Sequence, residues 1–544
     1  MNLTVFKRLC LGISAWFCVA TLCAQEAPRP QWCYETLDTT VSIVPDRGML
    51  SIRGTGTLVL HHETSSVDLR VNGSWQTLRF ESLSSRAGDS KINVLNPEHK
   101  AWRIGTLQFS KPRAPGSRIQ VEFELVKERD AFPLAVKANA AVAISDAVWL
   151  PVSGDMGCDL PPGKLTFLMP VGWHAASNGK VVASGMREGR AFETYQIPKS
   201  HQRAFIAAPY HLANGRAPTS SIDLYLLNAT LNSSRLLESF AAARQFLEER
   251  YGPVPFADYK IAEMPNDLVP WYGASEEGLI ITRNEMMGSE EAVLNNFVHE
   301  LAHAWWGNKV TPTGPGSYLL NEGMASFSGI EFFESRVGRE GALAYLEFGS
   351  PSSSPDATTY GYLQLACSGK DVPLAALKPD SGDDYNIAQS KGVWVLRMLA
   401  DRVGRERFFH VLRMLESEPN LTQERFRKAF EAEAPEMGLS QFFRQWLDRP
   451  GIPVIGLEWR NQNATGKPRA LITIFQKQRG EPYDLDLEVL LRTRKGVVTR
   501  SVHIDRAQVT VEIDLPGELV DAVVDPGSRL LVWRPSYRTL CTPR

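Results

Sequence analysis

From about Pro30 to Pro218 the chain alternates apolar and polar residues in short runs. Thr57–His61, Arg118–Leu125 and Lys164–Met169 are β-rich, and Gly, Pro, Asn and Ser punctuate the region at hairpin spacing. This pattern predicts a domain of β structure. Near Ser234 the period changes. Leu236, Leu237, Phe240, Ala243 and Phe246 recur at helical spacing until Gly252 and Pro253 stop the run. Asp258–Glu263 and Gly278–Thr282 read as strands. Helices are expected at Glu290–Asn308, Leu319–Val337, Gln389–Val403, Glu406–Glu416, Gln423–Ala432 and Leu439–Leu447. A mixed block with its helices gathered late predicts an α+β domain. Pro450–Pro453 breaks the pattern. Alternation returns in Leu471–Phe475, Leu485–Leu491, Val509–Leu515 and Leu519–Val524, which predicts a small β-sandwich. The expected divisions are 1–24, 25–218, 219–450 and 451–544.

The first of these is a targeting segment. Lys7 and Arg8 precede an apolar run, Leu9–Ala24, and polar residues follow at Gln25 and Glu26. The run is short for a membrane span and suits a signal peptide, cut after Ala24 or after Ala20. The mature chain is then secreted or periplasmic; an uncleaved anchor is the alternative. Cys10, Cys18 and Cys23 leave with the signal. Cys33, Cys158, Cys367 and Cys541 remain, enough for two disulfides, for one, or for buried free thiols. None has C-x-x-C spacing, so none reads as a metal ligand. At 544 residues the chain is too long for one core, and 43% hydrophobic with 22% charged residues is an ordinary globular balance. A net charge of −2 gives no basic surface, which excludes nucleic acid as the expected partner.

Chemistry concentrates in one place. The run His299-Glu300-Leu301-Ala302-His303 lies within an expected helix. Histidines at i and i+4 share a face, so both imidazoles reach one ion, with Glu300 on the flank where it can act as base. Glu322 follows His303 after 18 residues, at the start of another expected helix. Two imidazoles and one carboxylate are the ligand set of a catalytic zinc, which keeps a fourth position for water. The expected cofactor is one Zn2+ per chain, on His299, His303 and Glu322.

HELAHAWWGN followed by LNEGMASF resembles the M1 aminopeptidases, gluzincins with H-E-x-x-H-x18-E. FLEERYGPVPFADYKIAEMP, KGVWVLRML, QFFRQWLDRPGIPV and the SNGK at Ser177–Lys180 are similar to other parts of that family. The resemblance implies an N-terminal β-saddle, a thermolysin-like catalytic domain and a C-terminal β-sandwich, a short form without the helical C-terminal domain of many relatives. It implies peptide substrates and removal of their N-terminal residues.

Two departures qualify that expectation. The family's G-A-M-E-N-W-G-L-I, whose Glu helps hold the substrate amine, corresponds here to Gly273-Ala274-Ser275-Glu276-Glu277-Gly278-Leu279-Ile280, one residue shorter. If Gly273-Ala274 sets the register, Glu276 is the anchor, with a bulge before Gly278 absorbing the deletion; if Gly278 sets it, Ser275 takes that place. The family's Tyr-x-Lys-Gly, whose phenol steadies the oxyanion, corresponds to Gln389-Ser390-Lys391-Gly392. Gln389 is one candidate donor. Tyr385, four residues earlier, is another if the helix extends that far. These departures leave two alternatives to an aminopeptidase: a metallopeptidase with relaxed amine recognition, or a zinc-stabilised binding protein of little activity.

Overall fold

The alternation of the first third is realised as sheet. In the computed structural model, the described residues are 30–83, 96–97, 102–127, 134–154, 157–201, 203–217, 220–256, 258–269, 273–283, 285, 287, 290–349, 358–379, 381–418, 420–462 and 467–533. The expected targeting segment, 1–24, and Cys541 lie outside them. A seven-stranded sheet runs in the order Lys180–Arg187, Arg190–Ile197, Gly163–Met169, Trp32–Val44, Met49–Leu60, Arg118–Lys127, Trp75–Ser82. Successive side chains point to opposite faces, so Leu50, Ile52, Leu58, Val121, Phe123 and Leu125 enter one core. Cys33 and Cys158 form a disulfide across 125 positions, a closure worth about 5 kcal/mol of unfolded-chain entropy.

A four-stranded sheet, His174–Ser177, Phe205–Ala208, Ala140–Ala143, Leu134–Lys137, forms the side that meets the next unit. Its Val142, Ala176, Ile206 and Ala208 pack with Ala262, Met264, Leu279 and Ile281 in one cluster. Those last four belong to a five-stranded sheet ordered His211–Ala217, Ser220–Leu226, Tyr259–Met264, Leu279–Arg283, Gly273–Glu276. Its first two strands form a hairpin that straddles the division expected at 218. The shared alternation on either side of Pro218 hid the fact that both strands pair into the second sheet.

The helical region follows. The helix expected at Glu290–Asn308 ends at Ala302. Trp305 and Trp306 are fully buried against Tyr251, and the chain leaves the helix in tight turns to seat them. The helices expected from Leu319 and Gln389 begin instead with π-helical turns, Leu319–Gly323 and Ala388–Gly392, before Met324–Phe348 and Val393–Val403. Gly382–Ile387 extends the second of these upstream, and Thr359–Cys367 is a helix the pattern did not suggest. After residue 450 come two three-stranded sheets whose Ala470, Ile472, Ile474, Leu487, Val489 and Leu491 join the core of the helical region. Among the described residues, no helix is long and apolar enough to cross a membrane.

Candidate metal centre

The helix Glu290–Ala302 lies against the five-stranded sheet, with Phe297, Val298 and Leu301 in the core. This seating turns His299 and His303 toward the π-turn that carries Glu322. His299 Nε2 and His303 Nε2 are 3.2 Å apart. Glu322 Oε2 lies 3.4 Å from His299 Nε2, and Oε1 lies 3.7 Å from His303 Nε2. Ligands about 2.0–2.2 Å from a tetrahedral zinc stand roughly 3.3–3.6 Å from one another. The three side chains therefore fit one ion. Among the described residues, theirs is the one group of three or more His, Cys, Asp or Glu side chains close enough to share a metal.

The outer contacts suit the same role. His303 Nδ1–H donates to Trp306 O at 2.9 Å, and His299 Nδ1 lies 3.1 Å from Ser326 Oγ. The His303 bond fixes the tautomer that keeps its Nε2 lone pair for the centre, and Ser326 orients the His299 ring. Burial would raise the Glu322 pKa, but His303, His299 and the Gln389 amide outweigh it and hold the carboxyl at about 2.

Glu300 is buried, 6% exposed, and burial pushes its pKa up to about 7, with His303 opposing and Glu322 adding to the rise. The strand Gly273–Glu276 runs past it at the edge of its sheet. A Cβ on Gly273 would lie 2.5 Å from Glu300 Oε1, so glycine lets the carboxylate lie against the strand.

The hairpin that begins with this strand contains no bulge. Ala274 pairs with Ile281 and Glu276 with Leu279, and both partners face the N-terminal sheet. Ser275 pairs with Ile280 and Gly273 with Thr282, which face the metal helix; Asn296 Nδ2 donates to Thr282 Oγ1 at 2.7 Å. Glu276 and Ser275 are thus on opposite faces. Glu276 is 2% exposed, and Oε1 accepts from Ser145 N–H (2.9 Å) and Ser145 Oγ–H (3.0 Å). Its Oε2 is buried without a protein donor, and burial raises its pKa to about 8.

The helical region matches known proteins. Residues 245–446 match the peptidase family M1 domain. This chain carries an M1 peptidase domain. Aminopeptidase B of Rattus norvegicus is 25% identical over 239 residues, 40% of this chain and 34% of that protein. Aminopeptidase N of Lactococcus lactis subsp. lactis is 25% identical over 327 residues, 55% of this chain and 38% of that protein. A probable aminopeptidase 1 of Saccharolobus solfataricus is 26% identical over 266 residues, 44% and 31% of the two chains. The chain spans about a third of the length of these curated relatives.

The M1 domain brings Tyr385 and Gln389 to the same centre. Gln389 Nε2–H donates to Glu322 Oε2 at 3.2 Å, so the amide meets a candidate metal ligand. Tyr385 is on the helix Gly382–Ile387, its ring 6.0 Å from that of Tyr318. It is 36% exposed, yet protein packs around its hydroxyl. Burial, Glu322 and Glu300 raise its pKa well above the usual phenol range.

Four contributors from the N-terminal region escaped the sequence reading. Ser145 holds Glu276. Asp146 beside it is exposed, its pKa raised by surrounding protein and by the Glu322 charge. Asn178 of the SNGK run donates through Nδ2 to Glu277 O at 2.8 Å, and His201 N–H donates to Glu277 Oε1 at 3.0 Å. No sequence spacing links residues 145, 178 and 201 to 276; only the tertiary packing does. Trp305 and Trp306 are packing residues, as their fully buried rings indicate.

Proposed function

We propose that this chain is a zinc-dependent aminopeptidase that removes N-terminal residues from peptides. The reading rests on one observation: the side chains of His299, His303 and Glu322 converge beside buried Glu300 within an M1 domain. Zinc, when bound, supplies a Lewis acid that polarises the scissile carbonyl and lowers the pKa of water toward about 7. The protein does the rest. Glu300 accepts the proton of the attacking water and returns it to the leaving amine. Gly273–Glu276, as an edge strand, offers the backbone groups of Gly273 and Ala274 to an extended peptide, with Gly273 directly against Glu300. The Tyr385 phenol donates to the oxygen on which charge develops. Glu276 Oε2 and Asp146 take the substrate's α-ammonium, on the side where the N-terminal region meets the hairpin.

The wider assignments follow. The basic and apolar run at 1–24 and the Cys33–Cys158 disulfide support an oxidising destination, secreted or periplasmic. The proposed layout is a β-saddle, a thermolysin-like domain and a β-sandwich, with the hairpin His211–Leu226 paired into the sheet of the second unit.

One observation favours a second reading. Glu276 is so buried, and so tied to Ser145, that amine recognition is relaxed and the enzyme cuts internally. Free and N-acetylated forms of one peptide separate the two. The aminopeptidase reading expects cleavage of the free form alone; equal cleavage of both would replace it with the endopeptidase reading.

A further inference from the structure

The π-turns Leu319–Gly323 and Ala388–Gly392 pack directly on each other. A Cβ on Gly323 would meet Ala388 O at 3.2 Å and Leu319 Cδ1 at 2.9 Å. A Cβ on Gly392 would meet the same Leu319 Cδ1 at 2.8 Å and Gly323 Cα at 3.9 Å. Two glycines thus let the turns approach to backbone contact. π-Turns widen a helix by one residue and are common at functional sites. Here one turn carries Glu322 and the other Gln389, and the approach brings their side chains to 3.2 Å.

We propose that Gln389 is a positioning residue for the metal, its amide holding the Glu322 carboxylate in the orientation that meets His299 and His303. This rests on the reading that those three side chains bind zinc. A glutamate carboxylate has several rotatable bonds, and each one left free costs order when a ligand must be presented. The amide donates to Oε2, the oxygen nearer His299, and leaves Oε1 toward His303. The residue's short reach is what suits it: a donor on a longer side chain would extend past Glu322 into the cleft. Tyr385, whose hydroxyl neighbours the same amide, is then the phenol left facing substrate.

The test is zinc affinity, measured by competition with a chromophoric chelator, on wild type, Gln389→Met and Gln389→Glu. Both variants keep the length; Gln389→Met has no donor, and Gln389→Glu, when ionised, has none and sets a like charge against Glu322. Gln389→Met is expected to bind zinc about 10- to 100-fold more weakly, and Gln389→Glu at least as weakly. The metal-free proteins are expected to unfold at the wild-type midpoint. Wild-type affinity in both variants overturns the proposal. Weakened affinity together with a lowered metal-free midpoint also overturns it and assigns Gln389 to packing. A wild-type protein that binds no zinc overturns the underlying reading, and the proposal with it.

Discussion

Gly273 and Glu300 share a space that only one side chain can fill: a Cβ at position 273 would sit 2.5 Å from the Glu300 Oε1 atom. The edge strand and the base are therefore fitted to each other without a spacer. Gly273→Ala should displace the carboxylate by a fraction of an ångström. The expected result is a fall in kcat of about 10- to 100-fold, with zinc content unchanged by elemental analysis. Full activity in the variant would mean that Glu300 works from another position.

Removing the base and removing a ligand should have different signatures. Glu300→Gln should retain about one zinc per chain, the stoichiometry a single catalytic site holds, and lose roughly 100- to 10,000-fold in kcat. His303→Ala should lose zinc as well as activity. Elemental analysis beside steady-state kinetics distinguishes the two, and wild-type zinc content in His303→Ala would remove it from the ligand set.

Tyr385→Phe deletes one hydroxyl and little else. As an oxyanion donor, Tyr385 should then cost about 100- to 1,000-fold in kcat, with KM little changed. An effect confined to KM would make it a pocket wall.

Glu276 gives stability a pH dependence. Burial raises its folded pKa to about 8 from an ordinary 4.5, with Asp146 and Glu277 adding to the rise and the Ser145 bonds opposing it. A raised folded pKa means that the folded state prefers the protonated acid. The contribution is complete below about pH 4.5 and is lost as pH climbs through 8. Unfolding free energies of the metal-free protein, from denaturant titrations at pH 5, 6.5 and 8, should fall relative to those of Glu276→Gln, by an amount on the order of a few kcal/mol. Parallel profiles for the two proteins would show that Glu276 ionises normally.

The centre was legible in the sequence where chemistry follows local geometry. His299 and His303 are one helical turn apart, and any helix there puts them on one face. The sheets were legible for the same reason, since burial has period two. What was hidden depended on irregularity or on distance. A π-turn has no signature in a 3.6-residue period, so the helix starting at Gln389 gave no sign that its amide would reach Glu322 rather than substrate. The bulge expected before Gly278 is absent because Glu277 and Gly278 close the hairpin as a regular two-residue turn. Ser145, Asp146 and Asn178 are more than 90 positions before the hairpin they approach. Only the packing of Val142 and Ile206 on Leu279 and Ile281 brings them near.

That packing makes the catalytic half dependent on its neighbour. The hairpin presents one face to the metal helix and the other to a sheet built from residues 134–208, so each side of the cleft strand belongs to a different part of the chain. Excising residues 245–446 as a portable peptidase would strip the strand of half its support and leave Leu279 and Ile281 wet. The stretch that matches the family is therefore not a separable unit of function. Sequence drift in the N-terminal sheet, far from the His299–His303 motif, therefore reaches the strand that lies against Glu300.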